Sequence, residues 1–386
     1  MLSYLTGVAK FFRRKKGGVL FPVAIAACFW SPLVHAQTWN ADLVIGHDSF
    51  TAPGFNNLDG DEFYAPSSSS VIAGGKWIVA DSSNNRVLIY NTVPATNGAA
   101  AVVVGQPDFS SNASGLSSAK LNNPVGVHSD GTKLFVADYN NHRVLVYNSI
   151  PTNNNAAASI VIGQTSFTAG TAGTTQTKLY NPSGVFSDGA KLFIADNTNH
   201  RVLIFNSIPG TNGAPASIVL GQTNFTVRTA GVSQTNFNSP YSVAASGSKL
   251  YVADRNNSRI LIYNAIPTAN NTPASVVVGQ TNFTTGSTGL SQTRLKNPSG
   301  VWSDGTKLLI ADQNNHRALI FNSIPTTNGA PASVVIGQTS FTTGTSGTSQ
   351  TKFNSPAGIV SNRTKLFVTD RSNSRALIYD AIPTTN

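Results

Sequence analysis

Thiols, carboxylates and long apolar runs are scarce in this chain. Its 386 residues include one cysteine, Cys28, and one glutamate, Glu62, and only 11% of them are charged. A single cysteine excludes a scaffold held together by disulfides. A hydrophobic content of 40% without repeated long apolar runs excludes a protein that crosses a membrane several times. We therefore expect a globular body with a packed core.

Positive charge predominates, but it is unevenly distributed. The 26 lysines and arginines exceed the 16 acids by 10, yet five of these bases precede residue 37 and no acid does. Without residues 1–36, the remaining 350 residues carry 21 bases against 16 acids, an excess of 5. An excess of this size argues only weakly for nucleic acid or a membrane surface. We expect no nucleic-acid partner.

The N-terminal segment has the composition of an export signal. The basic run RRKK at 13–16 precedes the apolar stretch GGVLFPVAIAACFWSPL, and the modest-sized residues Val34 and Ala36 follow. This order predicts a signal peptide over residues 1–36 and an exported chain that begins at Gln37, in the periplasm or the medium. We expect no membrane span in the exported chain.

Two other interpretations of this segment stay open. An uncleaved anchor would need about 20 apolar residues, and Pro22 interrupts the run before that length. The segment Ile25–Cys28 resembles a lipoprotein signal, although the bulky Phe29 and Trp30 stand where small polar residues usually follow. Cleavage after Ala36 would leave the exported chain without a thiol.

From residue 37 onward, six units recur every 57 or 58 residues. Each unit has an aspartate at the end of an apolar run and an arginine five residues later. The aspartates are Asp81, Asp138, Asp196, Asp254, Asp312 and Asp370. The arginines are Arg86, Arg143, Arg201, Arg259, Arg317 and Arg375. Six units of 58 residues make 348, close to the 350 after the signal, so the repeat leaves no room for a second domain.

One unit, residues 181–223, holds four short β-rich runs separated by turn residues. We term them strands a to d, and they span Val185–Phe186, Lys191–Ala195, Arg201–Phe205 and Ser217–Leu220. Runs such as LFIA and VLIF are apolar at successive positions, which indicates that both faces of each sheet are covered. Six units predict an all-β fold, a six-bladed β-propeller of four-stranded antiparallel blades over residues 37–386.

The two ends of the chain predict how the ring closes. The last unit stops after strand c, at Ala376–Tyr379, whereas Leu43–Gly46 has the sequence of a strand d with no a, b or c before it. Pairing the N-terminal strand with the last blade completes that blade and removes two exposed sheet edges. We therefore expect a closed ring, and a monomer.

The repeated segment NPSGVFSDGAKLFIADNTNHRVLIFN resembles the NHL repeat, with its Pro-x-Gly-Val, Asp-Gly turn, Ala-Asp and Asn-x-Arg. The resemblance extends over all six units, about residues 41–386. It implies a propeller but no single function, because such propellers serve as protein-binding, RNA-binding and enzymatic scaffolds. Unit one departs from the pattern with APSSSSVIAGGKWIVAD, which predicts an irregular inner strand, and links from d to a such as 165–181 are unusually long.

The six Asp/Arg pairs are the most regular polar feature. A tight turn between strands b and c lets the two side chains meet. Because a chemical step needs one site rather than six, we interpret the pairs as structural. The pairs of the middle units are Asp138 with Arg143, Asp196 with Arg201, Asp254 with Arg259 and Asp312 with Arg317. We expect each pair to be partly exposed and to contribute no more than about 1 kcal/mol.

Three histidines, His142, His200 and His316, suggest a zinc site. Equivalent positions on blades that are not all adjacent lie far apart, however, which argues against a shared metal. No Gly-x-Ser-x-Gly, Cys/His pair or phosphate-binding loop occurs, and Glu62 lies outside the regular pattern. We expect no metal, no cofactor and no assignable catalytic residue.

Two positions vary while their surroundings repeat. The residue after the repeated aspartate is Ser82, Tyr139, Asn197, Arg255, Gln313 or Arg371. The residue after Gly-Val or its equivalent in strand a, near the predicted channel, is His128, Phe186, Ala244, Trp302 or Val360. Asymmetric recognition can arise where the blade sets no constraint, and neutral drift is the alternative. We expect the first group at exposed loop tips.

The leading hypothesis is an exported, non-catalytic binding or scaffold propeller that recognises a protein or a glycan. It would do so through the face that carries the b-to-c turns and the d-to-a links. Its ligand-binding residues would be Tyr139, Asn197, Arg255, Gln313 and Arg371. The alternative is an extracellular metal-dependent lyase or lactonase with its site in the central channel, near His128, Phe186 and Trp302.

Overall fold

In the computed structural model, the described residues 38–52, 58–71 and 75–385 form twenty-four strands arranged in six four-stranded antiparallel sheets. Each sheet is one blade of a six-bladed β-propeller, as the repeat predicts. The predicted signal peptide, residues 1–36, lies outside the described residues. No helix in the described part of the chain is long and apolar enough to cross a membrane.

The strands follow one another in the order a, b, c, d within each blade. Blade 1 consists of β2 (Ser68–Val71), β3 (Trp77–Asp81), β4 (Arg86–Tyr90) and β5 (Val102–Val104), and blade 2 of β6 (Pro124–Ser129), β7 (Leu134–Asp138), β8 (Arg143–Tyr147) and β9 (Ile160–Ile162). Blade 3 consists of β10 (Pro182–Ser187), β11 (Leu192–Asp196), β12 (Arg201–Phe205) and β13 (Ile218–Leu220), and blade 4 of β14 (Pro240–Ser246), β15 (Lys249–Asp254), β16 (Arg259–Tyr263) and β17 (Val276–Val278). Blade 5 consists of β18 (Gly300–Ser303), β19 (Leu308–Asp312), β20 (Arg317–Phe321) and β21 (Val334–Ile336). Blade 6 consists of β22 (Pro356–Ser361), β23 (Leu366–Asp370), β24 (Arg375–Tyr379) and, as its strand d, β1 (Leu43–Ile45).

A single turn of 3-10 helix connects strands b and c in every blade. The six turns are Ser82–Asn84, Tyr139–Asn141, Asn197–Asn199, Arg255–Asn257, Gln313–Asn315 and Arg371–Asn373. One further residue in the left-handed region, such as His200 at φ 52°, reverses the chain before strand c begins. The repeated Asp and Arg therefore face each other as the last pair of the b–c ladder, as in Asp196↔Arg201.

The core lies between neighbouring blades. The run LFIAD of β11 is buried at every position, because one blade covers each of its faces. Ile204 of blade 3 and Val252 of blade 4, for example, belong to the same buried apolar cluster. Inner strands approach each other closely, since a Cβ added at Gly184 would lie 2.8 Å from the carbonyl oxygen of Tyr241. The continuous apolar runs of strands b and c are thus explained by the stacking of blades.

The N-terminal strand closes the ring, as predicted. Strand β1 pairs antiparallel with β24 in the register Leu43↔Ile378 and Ile45↔Ala376. The inner strands β2 and β22 also contact each other, so the contacts between inner strands are complete around the axis. At this seam Trp77 is fully buried, and its ring centroid lies 6.0 Å from that of Phe367.

The inner strand of unit one, where an irregular strand is expected, is β2. Its four residues pair with β3 in continuous register from Ser68↔Ala80 to Val71↔Trp77. Residues 72–74, which follow it, lie outside the described part of the chain. Blade 6 lies next to this strand at the seam of the ring, and there the Thr369 hydroxyl accepts a hydrogen bond from the amide of Gly358 at 2.7 Å.

Removing the closing strand should destabilise the whole ring. A chain that begins at residue 48 lacks β1 and leaves β24 with an unpaired edge. A chain that begins at Thr38 keeps β1 and its pairing with β24. We expect the shorter chain to unfold with a free energy lower by several kcal/mol, in line with the loss of a buried strand. Chemical denaturation of the two chains measures this difference. Equal stability of the two would show that β1 does not close the ring.

Candidate functional site at the b-to-c face

The start of strand a and the end of strand b lie at the same end of each blade. In blade 2, Pro124 at the start of strand a pairs with Asp138 at the end of strand b. The link that leads into the blade reaches the same end, where the amide of Asn140 donates to the carbonyl of Asn122 at 3.2 Å. The b-to-c turns and the d-to-a links therefore share one face of the ring, which we term the b-to-c face.

A buried aspartate anchors each b-to-c turn. In blade 3 the Oδ2 atom of Asp196 accepts hydrogen bonds from Arg201 Nε at 2.7 Å and from Asn199 Nδ2 at 2.8 Å. Its Oδ1 atom accepts from the amide of Tyr180 at 2.7 Å. Burial raises the pKa of the equivalent Asp370 to about 6, against the opposing charge of its arginine. The three donors, one of them a guanidinium, favour the ionised form of the carboxylate.

The arginine that begins strand c holds two links at once. In blade 3 Arg201 Nη1 donates to the carbonyl of Phe225 at 2.5 Å, in the link that leaves the blade. Its Nη2 atom donates at 2.8 Å to the carbonyls of Thr175 and Lys178, in the link that enters the blade. The phenylalanine carbonyl that accepts from Nη1 recurs in all six blades, at Phe50, Phe109, Phe167, Phe225, Phe283 and Phe341.

The expectation that the Asp/Arg pairs are partly exposed is wrong. Both side chains of all six pairs are fully buried, with 0% exposure. The physical reason is the length of the d-to-a links, which fold over the turns and exclude water from the pairs. Removing one member of a buried, fully hydrogen-bonded pair typically costs about 3–5 kcal/mol, well above the value for an exposed pair.

A repeated Gly-Gln pair starts five of the six links, and Gly46 with His47 starts the link that leaves blade 6. Gly163 has a φ of 89°, and a Cβ added there would lie 2.6 Å from the side chain of Leu179, so no other residue fits. The buried Gln164 donates through Nε2 to the carbonyls of His142 at 2.9 Å and Thr171 at 3.0 Å. The glutamine thereby joins the link to the b-to-c turn beneath it.

The residue that ends each b-to-c turn latches the next blade. Nδ1 of His200 accepts a hydrogen bond from the amide of Ser239 in blade 4 at 3.0 Å. All six latch residues offer an acceptor atom at this place: Asn85, His142, His200, Ser258, His316 and Ser374. Sequence reasoning missed this role, although every one of the six residues carries a side-chain acceptor.

The latches also explain why three histidines recur. An Nδ1 that accepts must be unprotonated, and burial lowers the pKa of His142, His200 and His316 from the ordinary value of 6.5. Their Nδ1 atoms are committed to the neighbouring blade. Over residues 38–52, 58–71 and 75–385, no group of three or more His, Cys, Asp or Glu could hold a metal ion.

The variable residues after the aspartates lie at the mouth of the channel, against the start of the next inner strand. The hydroxyl of Ser82 donates to the carbonyl of Pro124 at 2.6 Å, and Asn197 Nδ2 donates to that of Pro240 at 3.1 Å. Tyr139 is half-buried, and burial raises the pKa of its hydroxyl. Exposed loop tips were expected, and this is wrong for Ser82, Asn197 and Gln313, whose exposure is at most 8%. They are covered because the turn leans onto the neighbouring blade.

Arg255 is held in place from two sides. Its guanidinium lies over the ring of Tyr241, 5.1 Å from the centroid, and its Nη2 atom donates to Gln313 Oε1 at 2.9 Å. The Nε atoms of Arg255 and Arg371 are buried and have no hydrogen-bond partner among the described residues. Tyr241, which sequence reasoning missed, stands at the variable position of Pro-x-Gly-Val in blade 4.

The six inner strands line a central channel that is narrow and uncharged. About 110 Å³ of it is open to water-sized molecules, and its wall includes His128, Phe186 and Trp302, one per strand. His128 Nε2 donates to the carbonyl of Ser187 at 2.9 Å, and its ring lies 4.4 Å from that of Phe186. Burial lowers the pKa of His128 to about 4, so its imidazole is neutral.

The fold and this site define a six-bladed β-propeller with a polar channel mouth. Neither a family model nor a curated relative matches the chain. Among solved structures, it is similar to a Bacteroides uniformis protein named as a candidate 6-phosphogluconolactonase. The two sequences are 13% identical, the match covers 85% of this chain and 84% of that chain, and the TM-score is 0.50. It is also similar to an auxiliary nutrient binding protein of Bacteroides thetaiotaomicron, with 14% identity, coverage of 88% and 75%, and a TM-score of 0.50. At these identities the likeness shows the propeller fold.

Replacing the latch histidines should make the ring less sensitive to acid. Their folded pKa values lie below 6.5, so their contribution to stability is complete above that pH and is lost as the pH falls towards the folded values. The triple variant His142→Asn, His200→Asn, His316→Asn keeps an acceptor, as Asn85 does in blade 1. Below pH 6.5 its unfolding free energy should fall less steeply with decreasing pH. The variant should take up fewer protons on unfolding, by up to about one proton for each histidine replaced. Identical pH profiles of the two proteins would contradict the latch.

Proposed function

We propose that this protein is an exported, NHL-type propeller that binds a partner molecule, a protein or a glycan, on its b-to-c face without catalysing a reaction. The proposal is supported by unequal use of equivalent positions. Ser82 and Asn197 donate hydrogen bonds to carbonyl groups of the neighbouring blade. Arg255 and Arg371 each retain a buried Nε donor that no described residue satisfies.

The two Nε atoms are themselves inaccessible, so a ligand would meet the Nη side of each guanidinium. Arginine and tyrosine are also the residues that most often contribute a large share of binding energy. Tyr139, Arg255 and Arg371 occupy positions where other blades carry serine, asparagine or glutamine, so the blade itself does not require them.

Export of the chain and its NHL-type repeat are part of the same proposal. The RRKK run and the apolar stretch before Val34 and Ala36 favour export, to the periplasm or the medium. The Pro-x-Gly-Val, Ala-Asp and Asn-x-Arg elements recur in register around the ring. A binding role agrees with the name of one structural neighbour, an auxiliary nutrient binding protein that shares the architecture.

The catalytic alternative has less support. Among the described residues of the channel wall, a metal-dependent lyase or lactonase would have to use His128, the one side chain there that is a common metal ligand. Its Nε2 atom already donates to the carbonyl of Ser187. No observation on the channel favours a reaction over simple occupancy by water.

The triple variant Tyr139→Ala, Arg255→Ala, Arg371→Ala tests the binding face. Bait protein is used to capture partners from the envelope fraction and medium of the native host, and captured material is quantified by mass spectrometry and glycan analysis. We expect the variant to lose the partner, because each binding residue of this kind contributes about 1 kcal/mol or more.

The matched control carries Lys133→Ala, Lys191→Ala and Lys249→Ala at the a-to-b turns of the opposite face, where each lysine bonds a surface asparagine. This control should retain the partner. If a normally folded triple variant of the b-to-c face retains every partner at the wild-type level, the binding surface lies elsewhere on the ring.

A further inference from the structure

Positive charge is concentrated on one half of the b-to-c face. Between residues 221 and 385 the links and turns of this face carry six bases: Arg228, Arg255, Arg294, Lys296, Lys352 and Arg371. We define the basic arc as Arg255 of blade 4, Lys296 at the entry to blade 5 and Arg371 of blade 6, with Gln313 between the two arginines. Lys296 belongs to this arc because its carbonyl accepts from the amide of Asn314, next to Gln313.

The acids in the same half of the chain lie away from the basic arc. The five acids between residues 221 and 385 are Asp254, Asp304, Asp312, Asp370 and Asp380. Asp254, Asp312 and Asp370 are fully buried beneath their strand c arginines. Asp304 and Asp380 lie at the opposite face, where Asp304 caps an a-to-b turn and Asp380 pairs with Lys365. Four further acids, Asp48, Asp59, Asp61 and Glu62, stand on the link that leaves blade 6, which contacts the turn of Arg371 through His47 and Asn373. The positive field is therefore strongest above blades 4 and 5, at Arg255 and Lys296.

Arg255 is prepared to receive an anion. The Tyr241 ring and Gln313 Oε1 fix its guanidinium, so little side-chain freedom is lost when a ligand binds. Its Nε atom is buried, as is that of Arg371 across the arc, so an anion would meet the Nη side of each guanidinium. A guanidinium presents its donors as a planar fork that matches a carboxylate group.

The surroundings of the arc suit a sugar chain better than a protein. A protein partner needs a desolvated apolar centre. The large exposed apolar side chains of the described residues are Tyr64, Leu116, Val232 and Leu290, and each stands on a different link. The links are otherwise rich in serine, threonine and asparagine, whose side chains exchange hydrogen bonds with hydroxyl groups. Tyr139 and Tyr241 add aromatic surface at the channel mouth.

We propose that the basic arc binds an acidic glycan and that Arg255 and Arg371 receive its uronate carboxylates. This inference rests on the proposed function of the same face and names the class of its ligand. The two arginines bind the charged carboxylates, while the serine and threonine side chains of the links contact the sugar hydroxyls. Binding is accordingly weakened by salt, because charge–charge attraction over an exposed face is screened.

The experiment titrates the full-length chain with fluorescently labelled oligomers of galacturonate, glucuronate and mannuronate and follows their anisotropy. The fully methyl-esterified galacturonate oligomer has the same backbone without charge, and a uridine oligonucleotide of equal charge stands for nucleic acid. The variants are Arg255→Gln with Arg371→Gln, and Arg255→Lys with Arg371→Lys, which keeps the charge but not the fork. The matched control is Arg363→Gln with Lys133→Gln at exposed a-to-b turns.

We expect at least one uronate oligomer to bind, and the methyl ester to bind at least about tenfold more weakly, since each charge-assisted hydrogen bond contributes about 1.5–3 kcal/mol. The glutamine pair should weaken uronate binding at least as much, and the lysine pair should fall between it and the wild type. The opposite-face control should bind normally. Melting temperatures verify folding, and the lysine pair keeps the test decisive if the glutamine pair is unstable.

Several results would overturn the inference. Three results would each exclude carboxylate recognition by the arc. They are that no uronate oligomer binds, that the methyl ester binds as tightly as the charged oligomer, or that both arginine variants bind uronate as tightly as the wild type. Tighter, arginine-dependent binding of the uridine oligonucleotide would assign the arc to nucleic acid instead. If uronates do not bind but the alanine variant of the b-to-c face loses its native partner, the binding function stands and only the ligand class is wrong.

Discussion

The buried arginine at the start of strand c is the interaction on which this ring depends. Through four hydrogen bonds Arg259 joins the aspartate of its own blade to the links on both sides, at Ser233, Asn236 and Phe283. Each long link, which has no regular strand of its own, is thereby folded onto the sheet beneath it. Because the links cover the arginine and the arginine holds the links, neither arrangement persists without the other. The ordered polar surface of the b-to-c face is a consequence of this mutual dependence.

Most buried polar groups at the b-to-c face are satisfied by the ring itself, while buried hydroxyls elsewhere, such as those of Tyr147 and Tyr263, have no partner among the described residues. Aspartates, turn asparagines, glutamines and latch residues repeat around the ring and are satisfied within it or by the next blade. At the channel mouth the pattern breaks, because blades 1 and 3 carry Ser82 and Asn197, which bond to the next inner strand, whereas blades 4 and 6 carry Arg255 and Arg371. A sixfold scaffold can recognise an asymmetric ligand only where its symmetry is broken. The mouth of the channel above blades 4 to 6 is such a place.

The periodicity of the sequence was sufficient to predict the fold. The site was predicted less well, because it depends on contacts between repeat units that the sequence does not show. The 58-residue repeat and the orphan strand at Leu43–Gly46 were sufficient to predict the blades and their closure, because strand spacing and unpaired edges are local properties of the sequence. The burial of the Asp/Arg pairs was missed because the links that cover them lack a periodic pattern. Gln313 and Asn197 were taken for exposed tips because their burial depends on the tilt of one blade against the next. Tyr241 was overlooked because the sequence does not show that the side chain at this position of strand a lies under Arg255, the first residue of the b-to-c turn of the same blade.

Hydrogen exchange on a variant of one clamp tests this account most directly. Replacing Arg259 by methionine keeps the length of the side chain and removes its four hydrogen bonds. The account predicts faster amide exchange in the two links that flank blade 4, residues 229–239 and 281–289, with unchanged exchange in the links of blades 1 and 2, since opening in proteins is local where contacts are local. Unchanged protection of the two flanking links, or a loss of protection spread evenly around the ring, would contradict it.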